Sequence, residues 1–252
     1  MAHSGVIFLT PLRGIFNYKG YIQLSIFSFN ESPKGGGGIQ ILDSCVADVH
    51  GDFPEHQLLE EQPAKTYNSG ICVSILIFNT SRQCFVVVKQ FRPAVYMCEL
   101  ERHHPQVFQN QDKETFTRLE DPLPAVVGVT YELCAGIVDK PDLSLEEIAC
   151  EEVLEECGYR VPVTDLRRIT SYRSGVGVTG STQTLFYTEV TDQMRTSEGG
   201  GHPAEGELIE VVEIPLEDSM KFAYDETLPK TMGVIFSFMW FQNNIAPKLP
   251  KK

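Results

Sequence analysis

From about residue 70 onward the apolar positions fall into short, well-bounded runs. Ile71 to Phe78 and Cys84 to Gln90 are rich in β-branched residues and are separated by Asn79, Thr80, Ser81 and Arg82. That is the pattern of two strands joined by a short polar loop, with Gln90, Phe91, Arg92 and Pro93 closing the second. Glu101 to Pro124 show no period and predict a long surface loop, and Ala125 to Cys134 resume as strand. A loop through Asp139, Lys140, Pro141 and Asp142 leads into a helix. Beyond it Leu166 to Tyr172, Gln183 to Val190 and Leu208 to Pro215 read as strands, with a Gly-rich loop at Gly199 to Gly201. A last helix, from about Lys230 to Asn244, is expected to bury Met232, Ile235, Phe236, Met239 and Trp240. Strands, a helix, more strands and a second helix predict a mixed α/β sandwich rather than a doubly wound parallel sheet.

The first sixty or so residues are patterned differently. They hold aromatic stretches such as Tyr21 to Phe29, a glycine run at Gly35 to Gly38, and an acidic, proline-containing segment from Asp52 to Pro63. We expect an N-terminal β extension of two or three strands over residues 1–65, followed by the main domain at 66–250.

The central helix carries the chemistry. Ser144 followed three residues later by Glu147 is a capping box that starts it, and Gly158 is placed to stop it in the left-handed conformation. At about 100° per residue, Leu145, Ile148, Ala149 and Val153 share one apolar stripe. Glu152, Glu155 and Glu156 fall within or beside that stripe, whereas Glu146, Glu147 and Glu151 point elsewhere and read as a solvated face. Carboxylates on an inward face repel one another where water is scarce, at a cost of several kcal/mol without compensation, so positive charge must meet them there. Oxygen ligands at this spacing suit a hard divalent cation such as Mg²⁺ or Mn²⁺.

Composition narrows the partners. The net charge is −13, and no basic cluster precedes Lys251 and Lys252, which argues against a nucleic-acid partner. A phosphate-bearing small substrate would need cations supplied locally. The seven cysteines are scattered, without CxxC or zinc-ligand spacing, and read as buried or incidental thiols of a reducing compartment. No apolar run approaches the roughly 20 residues that cross a bilayer, and the N-terminus lacks a secretory pattern, so a cytoplasmic address and no membrane partner are expected.

Glu152, Val153, Leu154, Glu155, Glu156, Cys157, Gly158 and Tyr159 resemble the E-U-x-E-E-x-G-U core of the Nudix box (U, aliphatic or similar), and Ala135-Gly136 resembles its opening glycine. Two features depart from the box: Glu151 stands where an arginine is usual, and the loop after Gly136 is one residue longer, putting Leu143 where the first box glutamate is expected and leaving Asp142 as the nearest acid. The resemblance extends over roughly residues 70 to 248 to the Nudix hydrolases acting on nucleoside diphosphate sugars. It is carried by Val86 to Tyr96, Glu132 to Gly136, Ser174 to Ser181, Gln183 to Val190 and Glu205 to Val212.

The resemblance implies an α/β/α sandwich with a mixed sheet, and Mg²⁺-dependent cleavage of the pyrophosphate bond of a nucleoside diphosphate sugar. UDP-glucose is the expected substrate, because Ser174-Gly175-Val176-Gly177 replaces the Ser-Pro-Gly stretch common in ADP-ribose enzymes. ADP-ribose hydrolysis, or a catalytically weak domain that binds nucleotide sugars, is the alternative. It further implies metal ligation by Glu152, Glu155, Glu156 and the Ala135 carbonyl, and a general base at Glu207, or its neighbour Glu205, in Glu205-Gly206-Glu207. Arg92, Gln90 and Glu132 are the implied substrate contacts, and a homodimer built partly on the N-terminal strands is the implied assembly.

Overall fold

The computed structural model describes residues 14–18, 21–31, 37–48, 70–105, 123–176, 180–202 and 209–249. Contacts divide the chain into two units, Met1–Asn68 with Phe91–Val129 and Ser69–Gln90 with Thr130–Lys252. Residues 91–129 therefore group with the N-terminal part.

In the first unit, β1 (Gly14–Tyr18), β2 (Tyr21–Glu31) and β3 (Gly37–Asp48) form an antiparallel meander, with a register shift between Ile26 and Phe27. The same unit holds α1 (Pro93–His103), which the sequence reading did not anticipate. Pro93 suits a first helical turn, where its missing N–H costs nothing. Only Tyr96 and Leu100 of this helix are buried, against Phe91 and Val129, so its apolar period is too weak to stand out from the polar stretch that follows.

The second unit is built on a sheet ordered β10-β5-β4-β9-β8, with β6 added to β5 and β7 to β4. Its strands are β4 (Ile71–Asn79), β5 (Cys84–Phe91), β6 (Val129–Glu132), β7 (Cys134–Ile137), β8 (Arg167–Ser174), β9 (Ser181–Val190) and β10 (Ile209–Pro215). β4 and β9 run parallel, whereas β4–β5, β4–β7, β8–β9 and β5–β10 are antiparallel. The single strand expected over Ala125 to Cys134 is instead a 3₁₀ turn at Ala125–Gly128 followed by β6 and β7. Thr130 and Glu132 interrupt this largely apolar run without marking where its partner strand changes, because that change is set by β4 and β5 and not by the local sequence.

β4 and β5 are buried on both faces, which is why they read as continuous apolar runs. One face, with Val73, Ile75, Ile77, Val86 and Val88, packs on Ile148, Ala149, Val153 and Cys157 of α2 (Leu145–Cys157). The other face, with Leu76, Phe78, Phe85 and Val87, packs on Ala223 of α3 (Ser219–Tyr224) and on Val234, Phe238 and Phe241 of α4 (Met232–Asn244). The unit is thus a three-layer α/β/α sandwich around a mixed sheet.

The buried face of α4 is not the expected one. Met232, Phe236 and Met239 are exposed, while Val234, Phe238 and Phe241 are fully buried, with Ile235 and Trp240 between the two extremes. This helix is apolar nearly all round, so periodicity could not choose a side; the aromatic surface of the sheet chooses it. Phe241 sits 4.5 Å from Phe78 and Phe238 4.4 Å from Phe85, centroid to centroid.

Helix α2 begins and ends as the sequence predicts. Ser144 Oγ accepts from the Glu147 backbone N–H at 3.2 Å, and the Glu147 carboxylate accepts from the Ser144 N–H at 2.8 Å. These hydrogen bonds hold the Glu147 carboxyl below its ordinary pKa. Ser144→Ala removes one half of this exchange, and a drop of roughly 2–4 °C in melting temperature is expected in a thermal denaturation scan.

Candidate active site

The last turns of α2 lie against β7, whose position is set by its pairing with β4: Ala135 faces Ser74 and Gly136 faces Val73. Two carboxylates converge on this short strand. Glu156 is only 3% exposed, and its Oε2 accepts the backbone N–H of Ala135 at 3.0 Å. Glu152 lies directly over Gly136, where a Cβ would meet Glu152 Oε1 at 1.9 Å. Gly136 is therefore a cradle for a carboxylate, and its missing side chain is the space that Glu152 occupies.

Glu155, Glu151 and Glu147 of the same helix each have a partner of their own. Glu155 Oε2 is 3.3 Å from His202 Nε2, and Glu151 is paired with Lys140 at 2.6 Å. Glu147 is committed to the capping box. Among the described residues no three His, Cys, Asp or Glu side chains come close enough to hold a metal ion. The set around β7 nevertheless fits a divalent cation by its chemistry: two carboxylates four residues apart on one helix, one of them almost fully buried, converge on a strand lined by peptide oxygens and nitrogens. Such a pair is relieved by a hard cation. Glu152 and Glu156 are the two side chains placed to hold it.

A glycine loop fixes the end of this helix. Gly158 adopts φ 78°, and a Cβ there would fall 2.1 Å from the carbonyl oxygen of Ser197. Gly199, Gly200 and Gly201 all have positive φ; the N–H of Gly200 donates to the carbonyl of Glu156 at 2.9 Å and that of Gly201 to the carbonyl of Glu155 at 3.1 Å. The loop thereby satisfies carbonyls that a helix end leaves open. It also anchors the two glutamate residues by their backbones and brings His202 to the side chain of one of them.

Cys134, the residue before Ala135, is a fully buried thiol. Burial pushes the Cys134 thiol well above its ordinary pKa, helped by a hydrogen bond with Cys157 and by the charges of Glu156 and Glu152. A thiol kept protonated in this way is inert. The six cysteines with described side chains are all free thiols.

The expected substrate contacts are placed as follows. Gln90 is buried near the end of β5, opposite Ile209 of β10. Glu132 is buried at the end of β6, where Thr130 Oγ1 donates to its Oε1 at 2.5 Å. Arg92 belongs to the first unit, where it precedes α1 and its backbone N–H donates to Gly128 at 2.8 Å. Glu205 and Glu207 lie outside the described residues. Lys140, Thr130 and His202 were not singled out from sequence. For Lys140 the available signal was the acid at position 151, which calls for a cation nearby.

No family model matches the chain. Curated relatives do: the bovine (Bos taurus) uridine diphosphate glucose pyrophosphatase NUDT14 is 56% identical over 185 residues, covering 73% of this chain and 82% of that protein. The Mus musculus protein of the same name is 53% identical over an equal stretch. A GDP-mannose pyrophosphatase of Cronobacter sakazakii is 30% identical over 159 residues, 62% of this chain and 66% of that protein. A solved ADP compounds hydrolase overlaps 92% of this chain and 95% of its own at a TM-score of 0.46 and 13% identity, and nothing rests on that likeness. With the box residues assembled on α2 and β7 and more than half of the aligned positions shared with the bovine relative, the chain belongs to the Nudix hydrolase family.

Proposed function

We propose that this protein hydrolyses the pyrophosphate bond of UDP-glucose, giving UMP and glucose 1-phosphate, with Mg²⁺ as its metal and Mn²⁺ able to replace it. The observation that carries this reading is the convergence of Glu152 and nearly buried Glu156 on Ala135-Gly136. The names of the mammalian relatives support UDP-glucose among nucleotide sugars.

A bound divalent ion supplies charge neutralisation at the diphosphate oxygens and activation of the attacking water. The chain's own residues do the rest. Glu156 and Glu152 place the negative charge that holds the ion, and the Ala135 N–H keeps the Glu156 carboxylate aimed. Glu155 adds a third carboxylate from the same helix. Glu207, with Glu205 beside it, takes the proton from water. Arg92 offers paired donors to phosphate oxygens, and Gln90 and Glu132 bind the nucleoside or sugar polar groups. Glu132 is suited to that task because Thr130 already fixes one of its oxygens.

The catalytic work is assigned to residues 66–250 and assembly of a homodimer to residues 1–65, in the cytoplasm. Among the described residues no helix is long and apolar enough to cross a membrane. Incubation of the pure protein with UDP-glucose and Mg²⁺, followed by chromatography of the nucleotides, is expected to show UMP. Absence of UMP, together with absence of AMP when ADP-ribose is supplied, would overturn the assignment.

A further inference from the structure

Glu151 and Glu155 are one turn apart on α2, and like charges at this spacing repel. The usual arginine of the box at 151 would attract Glu155; the glutamate found there pushes it away. Glu155 itself lies 3.3 Å from His202 Nε2, and Glu151 has a cation of its own. Lys140, from the loop between β7 and α2 that is one residue longer than the box requires, places its ammonium 2.6 Å from Glu151 Oε2. Its ammonium is held above the ordinary lysine pKa, first by that hydrogen bond, with the charges of Glu151 and Glu155 adding.

We propose that Lys140 takes over, from the loop, the cationic duty that the box assigns to residue 151, and so acts as a positioning residue for Glu155. The inference rests on the proposed role of Glu155 at the metal. Lys140 cancels the charge of Glu151, so that Glu155 is not driven off the site by its neighbour one turn back. The long loop and the acid at 151 are then one paired change rather than two separate defects. A stability role does not account for the pair, because both side chains are about half exposed, 51% and 42%, where ion pairs contribute little and are screened by salt.

The test is a charge cycle on the full chain. Lys140→Met is expected to lower kcat for UDP-glucose about tenfold, with KM within about twofold and melting temperature within about 2 °C of wild type. Lys140→Arg is expected to keep activity. Adding Glu151→Gln to Lys140→Met removes the repulsion and is expected to return kcat to within about threefold of wild type. Mn²⁺ affinity, measured by calorimetry without substrate, is expected to shift at least about threefold in Lys140→Met and to revert in the double variant. Wild-type kcat and Mn²⁺ affinity in Lys140→Met, or a loss that Glu151→Gln does not reverse, overturns the proposal. A wild-type protein inactive on every nucleotide sugar would sink the assigned reaction instead, and the Mn²⁺ series would still decide the role of Lys140.

Discussion

Glu156→Gln is expected to lower kcat for UDP-glucose by roughly 10²–10³-fold while leaving the metal-free protein as stable as wild type or slightly more so. The glutamine has the same shape, and its carbonyl oxygen can still accept the Ala135 N–H that Glu156 Oε2 accepts at 3.0 Å. What disappears is a negative charge held at 3% exposure against the strand that the Glu152 carboxylate also meets. Placing two carboxylates side by side away from water costs free energy that a cation relieves, and the glutamine carries no charge to place there. Its removal therefore does not cost folding stability. With metal the balance reverses. Wild-type protein at a metal concentration of about 100 times Kd gains about 2.7 kcal/mol from binding, and the variant forgoes most of it. Melting curves with and without Mg²⁺, beside a UMP assay, read both effects. A variant that keeps wild-type kcat and the full Mg²⁺ stabilisation would show that Glu156 serves only to tie α2 to β7.

The second large effect is expected from a single methyl group. Gly136→Ala places a Cβ 1.9 Å from Glu152 Oε1, 2.1 Å from its Cδ and 2.7 Å from its Cγ. Atoms do not approach so closely, so either the strand or the side chain moves. The strand is pinned by its ladder to β4, with Cys72 opposite Ile137 and Ile75 opposite Cys134. Glu152 is half-buried and can swing outward, so it yields. A displacement of about 1 Å at a reacting centre costs on the order of 10²-fold in rate, and that is the expected fall in kcat. Because the damage passes through Glu152, it is not additive: in a Glu152→Ala background, Gly136→Ala is expected to cost little more. Independent, multiplying losses in the double variant would mean that Gly136 acts through the backbone and not as a cradle.

The helix that carries the candidate site is legible in the sequence. Ser144, Glu147 and Gly158 announce both ends of α2 by local chemistry alone, because a capping box and a left-handed glycine need nothing from the rest of the chain. The inward placement of Glu152 and Glu156 follows from the 3.6-residue period once Ile148, Ala149 and Val153 are known to face the core. The structure distributes the acids more finely than a helical wheel can. Glu155 shares the inward stripe by angle, yet its carboxylate meets His202 from a loop 47 residues further along. Likewise Glu151, a departure from the box by sequence, meets Lys140 from the preceding loop.

Where the sequence reading failed, the failures share one cause. Helix α4 has apolar residues on every side, so the choice between Phe236 and Phe238 for the core was made by Phe85 and Phe78 on the sheet. Helix α1 shows too little burial to impose a period, and the split of β6 from β7 depends on which strand each one joins.

The chain by itself therefore determined what local rules decide: the extent of α2, the strands β4 and β5 as runs apolar on both faces, and the inward placement of Glu152 and Glu156. Tertiary structure alone decided which strand receives them, that Gly136 makes room for Glu152, and which distant groups meet Glu151 and Glu155. The physical reason is range. Capping and periodicity act within a few residues, whereas the partner of a buried charge or an apolar face is chosen by whatever the fold brings against it.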